Sequence, residues 1–539
     1  MLSRTRTDLL LLAGFCSFFF FYGISQFGLI GADEPRYAQV AREMLARKDW
    51  ITPFLWGQPW LEKPPLYYWQ AMLSYSVFGV SDWAARVPSA VDATLLILAV
   101  YLFFRRLRPP VALDAALVTA ACAGIIGYSR AASTDMALAS TFAIAMLAWW
   151  AWRETMQRMC LVVFYACMAL GMLAKGPVAP LLAALVVALY SLAAREPRLI
   201  LKTLSLPGIL VFCIIALPWY FAVQTRNPQF FGEFILQHNL ARFSSDLYHH
   251  REPFWYYLPV ALLALLPWTA FIIAGSIETV RVWWSDRKSR PDQPDFDFQF
   301  SLFACSWLIV PVAFFTLSQS KLPGYILPAV PAGAILLANY MLSHSDREAP
   351  PPSKWLIVAH SVLAVAPFIP AVLIARLVSE HRLPGGKPAF VALAIAFLLA
   401  AGIALTLASK LGLRMLRFVT LIPVILTVAA VLKLGSSALD QSLTARPVAQ
   451  DIASIETHPL PLAVYGVSRE LEYGLTFYRN QLTLRYEWGS VPREEHLLVT
   501  PEGWQPEVAK LTPGRRVSFL GHYPPQHLDY FWVSAAPRE

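Results

Sequence analysis

Charge is what this chain has least of. Only 15% of its 539 residues are Asp, Glu, Lys or Arg, while 57% are hydrophobic. Soluble domains carry roughly 25% charged and roughly 45–50% apolar residues. The deficit excludes a disordered chain, a coiled coil and an ordinary soluble enzyme. Cysteine is also scarce. Cys16, Cys122, Cys160, Cys167, Cys213 and Cys305 lie in or at the ends of apolar runs. None has zinc-ligand spacing and no Cys-x-x-Cys occurs. Beyond Cys305 there is none, so a tail outside the cytoplasm needs no disulfide. No internal repeat is evident, which argues against a flippase or transporter built from paired repeats. No basic stripe interleaved with aromatics accompanies the net charge of +9, which argues against nucleic acid.

What the chain does have is apolar runs long enough to cross ~30 Å of hydrocarbon. Candidate spans cover about 9–27, 84–104, 111–128, 134–152, 160–174, 177–194, 204–223, 255–278, 301–318, 323–342, 355–376, 389–409 and 414–434. The expectation is therefore an α-helical polytopic membrane protein of about 13 spans. The pair flanking Lys175-Gly176-Pro177 is short enough to be one broken helix. Arg4 and Arg6 precede the first run, and no small-residue cleavage site follows it, so it reads as an uncleaved span. Lys and Arg recur at alternate span ends, with at least two at every segment on the N-terminal side. Cations favour the cytoplasmic face, which puts the N-terminus inside and, after an odd number of spans, the C-terminus outside.

Three outer segments are too long for plain connectors: 28–83, 224–254 and the tail from about 435. Long connections in compact proteins are usually functional. Segment 28–83 reads as two amphipathic helices around a Pro/Trp-rich turn, with Trp50, Trp56 and Trp60 as headgroup-interface aromatics. The tail alternates strand-like runs (462–465, 496–500, 516–520) with helix-like ones (448–457, 469–478). The expected organisation is a transmembrane domain over 1–434 and a soluble α/β domain over 435–539.

The same outer boundary collects the residues with chemistry. Asp33-Glu34 follows the first span. As structure, Asp33 is a helix N-cap and Glu34 a first-turn acid; as a site, Asp33 joins Arg36 and Tyr37 of the same helix. Glu62 and Lys63 are clamped before Pro64-Pro65, whose rings fix the backbone, and Tyr68 follows. Asp135 begins one span and Lys175 ends another. His238 and Arg242 share a helix face at i, i+4. Lys321 and Tyr325 close the set. Inner loops carry cations but few acids and no comparable proline motif. Cations around one or two carboxylates at a lipid interface suit a lipid phosphate, with the cations on the phosphate and an acid as base toward an acceptor hydroxyl.

Gly31-Ala32-Asp33-Glu34-Pro35-Arg36-Tyr37, with Ala41-Arg42-Glu43-Met44-Leu45, resembles the first outer loop of the aminoarabinose transferases of lipid A modification. These belong to the protein O-mannosyltransferase-like, GT-C fold glycosyltransferases. Leu61-Glu62-Lys63-Pro64-Pro65-Leu66-Tyr67-Tyr68-Trp69, Lys175-Gly176-Pro177, His238 with Arg242-Phe243, His250 with Pro253-Phe254-Trp255-Tyr256-Tyr257, and Lys321-Leu322-Pro323-Gly324-Tyr325-Ile326-Leu327-Pro328 match in order. The resemblance reaches to about residue 435. It implies the GT-C fold, a periplasmic active site in the bacterial inner membrane, and an inverting glycosyltransferase. That enzyme moves a sugar from a polyprenyl (undecaprenyl) phosphate to lipid A or another envelope glycolipid; protein is the alternative acceptor. It implies Asp33 as the catalytic residue. It places Lys63, Arg242, Lys321 and Tyr325 around the donor phosphate or the catalytic pocket. From their position at the same outer boundary, Lys175, Arg36, Tyr37 and Tyr68 are further donor-binding candidates, and Asp135 is a second acid. Glu62 and His238 fall at a divalent metal site (Zn or Mg), although two ligands do not close one. A monomer among membrane lipids is expected. Pro35 and Gly324 depart from the pattern, leaving sugar and acceptor open.

Overall fold

The computed structural model describes residues 2–234, 252–285, 296–344, 352–409, 412–489 and 491–536. Each expected apolar run is mostly helical. Among the described residues nine helices are long and apolar enough to cross a membrane, and two bent pairs extend this to as many as eleven. The pairs are Pro109–Ala120 with Ala123–Ser129, bent by 61°, and Tyr257–Ala264 with Thr269–Ser285, bent by 112°. The first run forms α1 (Leu2–Cys16), continued by a wider turn over Ser17–Phe21.

Local signals explain the boundaries that matter to the site. α2 covers Asp33–Arg47 and ends at Lys48, which takes a left-handed φ of 54°. α3 covers Leu66–Phe78, directly after the Pro64-Pro65 turn. α4 (Asp82–Leu107) is capped by the Ser81 side chain, which accepts from the Ala84 amide at 3.3 Å, and carries Asp82 in its first turn. Both features satisfy the exposed amides and dipole of a helix start. α5 (Ala112–Ala120) and α6 (Ala123–Ser129) form the first bent pair. α7 (Thr134–Thr155) is capped by Ser133. α8 (Arg158–Lys175) and α9 (Val178–Ala193) are separate helices broken at Gly176, whose φ of 90° suits glycine.

The transmembrane core is aromatic. Trp149 and Trp150 of α7, Tyr190 of α9 and Phe303 are fully buried and meet at ring separations of 4.9–5.7 Å. At the periphery, helix Lys387–Ala408 exposes Phe390, Phe397 and Leu398. A helix apolar on its outer face as well as its inner one is suited to lipid.

Outside the spans, α2 and α3 flank a hairpin of β1 (Phe54–Leu55) and β2 (Gln58–Pro59). Its tip, Trp56-Gly57, has φ of 56° and 76°, the two positive values of the tight hairpin turn. The Glu43 carboxylate accepts from both tip amides at 2.9 Å and pins the hairpin to α2. This alters the reading of the tryptophans. Trp50 is exposed, but Trp56 and Trp60 pack on the cluster of Tyr37, Met44, Tyr67, Tyr68 and Met72.

The tail contains a five-stranded sheet in the order β4-β3-β5-β7-β6. β3 (Leu462–Val464) pairs in parallel with β4 (Thr483–Arg485) and β5 (His496–Pro501). β7 (Leu528–Val533) is antiparallel to β5 and to β6 (Val517–Tyr523). Helix Arg469–Arg479 turns one side to this sheet and the other to α2.

Candidate active site

Asp33 opens α2, yet it is not the cap. The cap position is Ala32, and no side chain satisfies it. The Asp33 carboxylate instead contacts the Arg36 guanidinium one turn on. Their side chains are 46% and 14% exposed, so Asp33 reaches open space while Arg36 sits inside. Arg36 lies 5.2 Å from the ring centroids of both Tyr37 and Trp60, and 5.7 Å from that of Tyr473. Burial alone favours discharging Arg36; Tyr37, Asp33 and Glu62 outweigh it and hold the guanidinium cationic. Burial, then the Asp33 charge, pushes the Tyr37 phenol well above its ordinary range. Tyr68 is pushed up in the same way by burial, with Arg36 opposing and Glu62 and Asp33 adding to it. Asp33, Arg36, Tyr37, Glu62 and Tyr68 therefore form one electrostatic unit, in which both phenols stay protonated donors.

Glu34, the next residue, faces the other way. Its carboxylate accepts from Arg86 Nε at 3.0 Å and Nη2 at 2.7 Å. Arg86, fully buried, also donates to the carbonyls of Ile24, Phe27 and Gly28 at 3.1, 2.8 and 2.7 Å. This pair ties the end of the first span to α2 and α4.

A second centre is built from transmembrane ends. Lys175 Nζ contacts the Asp135 carboxylate and lies 4.6 Å from the Tyr325 ring centroid. Gly324 is packed against it: an added Cβ at this position stands 2.7 Å from Asp135 Cγ and 2.8 Å from the Tyr128 hydroxyl. Glycine is needed there for the close approach, which gives the departure at 324 a physical reason. Tyr128 of α6 is within electrostatic reach of both Asp135 and Asp33, so it joins the two centres. A cavity of about 440 Å³ is walled by Phe27, Ile30, Ile126, Pro267, Val424 and Val428, and its lining includes Glu34, which follows Asp33 in the chain, and Gly127, which precedes Tyr128.

The other expected residues divide as follows. Lys63 is half-buried beside Glu62. Lys321 is buried and its ammonium donates to the Glu252 carbonyl at 3.2 Å, while Tyr257 exchanges hydrogen bonds with the Leu322 main chain. His238 and Arg242 lie outside the described residues. Among the described residues no group of three or more His, Cys, Asp or Glu is arranged for a metal, so Glu62 has no such companions there. Tyr128, Arg86 and Tyr473 were not anticipated. Arg86 had a signal, since a charge within an apolar helix is costly enough to need a partner. Tyr473, from a tail remote in sequence, had none.

The family described as dolichyl-phosphate-mannose-protein mannosyltransferase matches residues 62–221. The undecaprenyl phosphate-alpha-4-amino-4-deoxy-L-arabinose arabinosyl transferase of Pseudomonas aeruginosa is 32% identical over 347 residues, 63% of this chain and 60% of that protein. Its namesake from Serratia proteamaculans is 31% identical, over 57% of this chain and 54% of that one. The chain thus spans about 60% or less of the length of these two relatives. The crystal structure of ArnT from Cupriavidus metallidurans bound to undecaprenyl phosphate superposes with a TM-score of 0.78 at 23% identity, covering 98% of this chain and 99% of that one. The resemblance read from the motifs is borne out: the chain is similar in sequence to the aminoarabinose arabinosyl transferases, and its fold is that of the ArnT structure from Cupriavidus metallidurans.

Proposed function

We propose that this protein is an inverting glycosyltransferase of the bacterial inner membrane. It takes a sugar from undecaprenyl phosphate, or a similar polyprenyl phosphate, and passes it to lipid A or another periplasmic envelope glycolipid. The observation that carries this reading is the junction of two centres from separate parts of the chain. Asp33–Arg36–Tyr37–Glu62–Tyr68 comes from the outer loop, and Asp135–Lys175–Tyr325 from span ends. Tyr128 is within electrostatic reach of both, and its neighbour in the chain, Gly127, lines an apolar cavity suited to a lipid chain.

In this reading Asp33, half-exposed and oriented by Arg36, takes the proton from an acceptor oxygen. That oxygen bonds the anomeric carbon from the face opposite the phosphate, and the carbon–oxygen bond to the donor phosphate breaks. The electron pair leaves on the phosphate, where Lys63, Lys175, Lys321 and Arg242 neutralise it. Preorganised cations contribute most where charge develops. The protonated phenols of Tyr37 and Tyr68 donate to donor or sugar oxygens. The N-terminus is cytoplasmic, residues 1–434 form the membrane domain, and the tail from 435 is periplasmic; the protein acts as a monomer.

Mass spectrometry of lipid A and envelope glycoproteins, in a strain lacking the gene and in the same strain with it restored, tests the proposal. We expect a pentose or hexose on a glycolipid that disappears and returns with the gene. An unchanged envelope overturns the proposal. A sugar lost from protein alone overturns the acceptor and favours the protein substrate of the mannosyltransferase family matched over residues 62–221.

A further inference from the structure

We infer that Tyr473, carried by the tail, is a positioning residue of the active site: its ring, stacked on Trp56, closes an aromatic cage around Arg36, and Arg36 holds the Asp33 carboxylate in place. The inference rests on the reading of Asp33 as the proton acceptor.

The geometry is specific. Tyr473 and Trp56 stack with centroids 5.4 Å apart and planes 24° from parallel. Arg36 is bounded by Tyr37, Trp60 and Tyr473 at 5.2, 5.2 and 5.7 Å. Two of those rings belong to the outer loop; the third comes from a helix more than 400 residues further along the chain. A guanidinium attracted to ring faces has its plane and reach fixed by them. Arg36 has Asp33 as its charged neighbour one turn away on the same helix. Displacing the cage therefore displaces the carboxylate, and a misplacement of about 1 Å costs on the order of 100-fold in rate.

The tail is seated by other contacts, so the ring can be removed without unseating the domain. Arg42 donates to the Phe477 carbonyl at 2.6 Å and to Asn480 at 3.1 Å. Tyr478 accepts from the Leu29 amide at 2.8 Å and donates to Asp82 at 3.2 Å. Arg446 bridges Asp82 and Asp440 at 3.0 and 2.6 Å and reaches the Ser25 and Gln26 carbonyls. On this account the tail is a structural part of the catalytic pocket.

The test uses the full-length protein with Tyr473→Ala, Tyr473→Phe and Arg36→Ala, each checked for a seated tail by limited proteolysis. Steady-state transfer from a polyprenyl-phosphate sugar gives kcat and KM. Carbodiimide labelling of Asp33, quantified by peptide mass spectrometry, reports the Arg36–Asp33 contact without substrate. We expect Tyr473→Ala to lower kcat by about 10–100-fold with little change in donor KM. It should also raise Asp33 labelling several-fold. Tyr473→Phe keeps the ring but removes the hydroxyl that interacts with Arg36, so it should fall between the parent and Tyr473→Ala in both, and Tyr473→Ala should add little in the Arg36→Ala background. Parental labelling in Tyr473→Ala overturns the inference, whether or not the chain turns over donor. So does altered labelling with parental kcat, or a Phe variant as impaired as the Ala one. A parent that transfers no sugar overturns the proposed function separately, and labelling still decides the contact.

Discussion

The adjacent acids at the head of α2 do different work because their side chains leave the helix in different directions. Asp33 reaches partly open space and contacts Arg36. Glu34 points inward to Arg86, and burial raises its carboxyl pKa despite the opposing Arg86 charge. Neutralising Glu34 as Glu34→Gln leaves the buried Arg86 uncompensated. Breaking a buried ion pair costs about 3–5 kcal/mol, so thermal unfolding in detergent should shift down strongly; a parental transition contradicts the pair's role. Gly324→Ala meets Asp135 and Tyr128 at 2.7–2.8 Å. Overpacking of this kind costs about 1–3 kcal/mol, and we expect transfer to fall at least ten-fold even where the protein remains folded. At this scale the sequence was legible where partners are local. Asp33 and Arg36 are one turn apart on a recognisable motif. The structural alternative for Asp33, a helix cap, does not hold: the cap position is Ala32, and the Asp33 carboxylate turns to Arg36. Arg86 and Tyr128 went unread because their partners lie across the fold, on α2 and beside the 324 motif.

Elements whose boundaries follow from local chemistry were foreseen. Helix 469–478 and the strands at 462–465 and 496–500 appear close to the expected limits. β4 escaped because three residues, Thr483–Arg485, carry no periodic pattern of their own. β7 escaped because Leu528–Val533 is an apolar run whose identity as a strand comes from its two antiparallel neighbours. The hairpin at Trp56-Gly57 owes its position to Glu43, thirteen residues back, so a Pro/Trp-rich turn was readable and its docking was not. The anchoring of the tail by Arg446 is testable at this scale. With a side chain 20% exposed, Arg446 holds Asp82 and Asp440 and two carbonyls of the 25–26 turn. Arg446→Ala should speed proteolysis at the tail junction and lower kcat by weakening the seat of Tyr473. Unchanged proteolysis contradicts the anchoring.

For the whole molecule, the apolar runs and their cations gave the membrane class, and the motifs gave the fold; the bends within 109–129 and 257–285 depend on packing that no linear pattern encodes. Orientation rests on cation bias and is checked by labelling with a membrane-impermeant maleimide in a cysteine-free background. Ala453→Cys, exposed on the tail, should react in intact spheroplasts, and Gln157→Cys, exposed between α7 and α8, should react only after permeabilisation. The opposite pattern reverses the topology and moves the site to the cytosol. The most direct measurement is sugar transfer in proteoliposomes containing purified polyprenyl-phosphate donor and glycolipid acceptor, comparing the parent with Asp33→Asn. General-base removal costs on the order of 10²–10⁴-fold. The account predicts a correctly inserted, folded variant with transfer reduced by at least that lower bound; parental turnover by Asp33→Asn contradicts it.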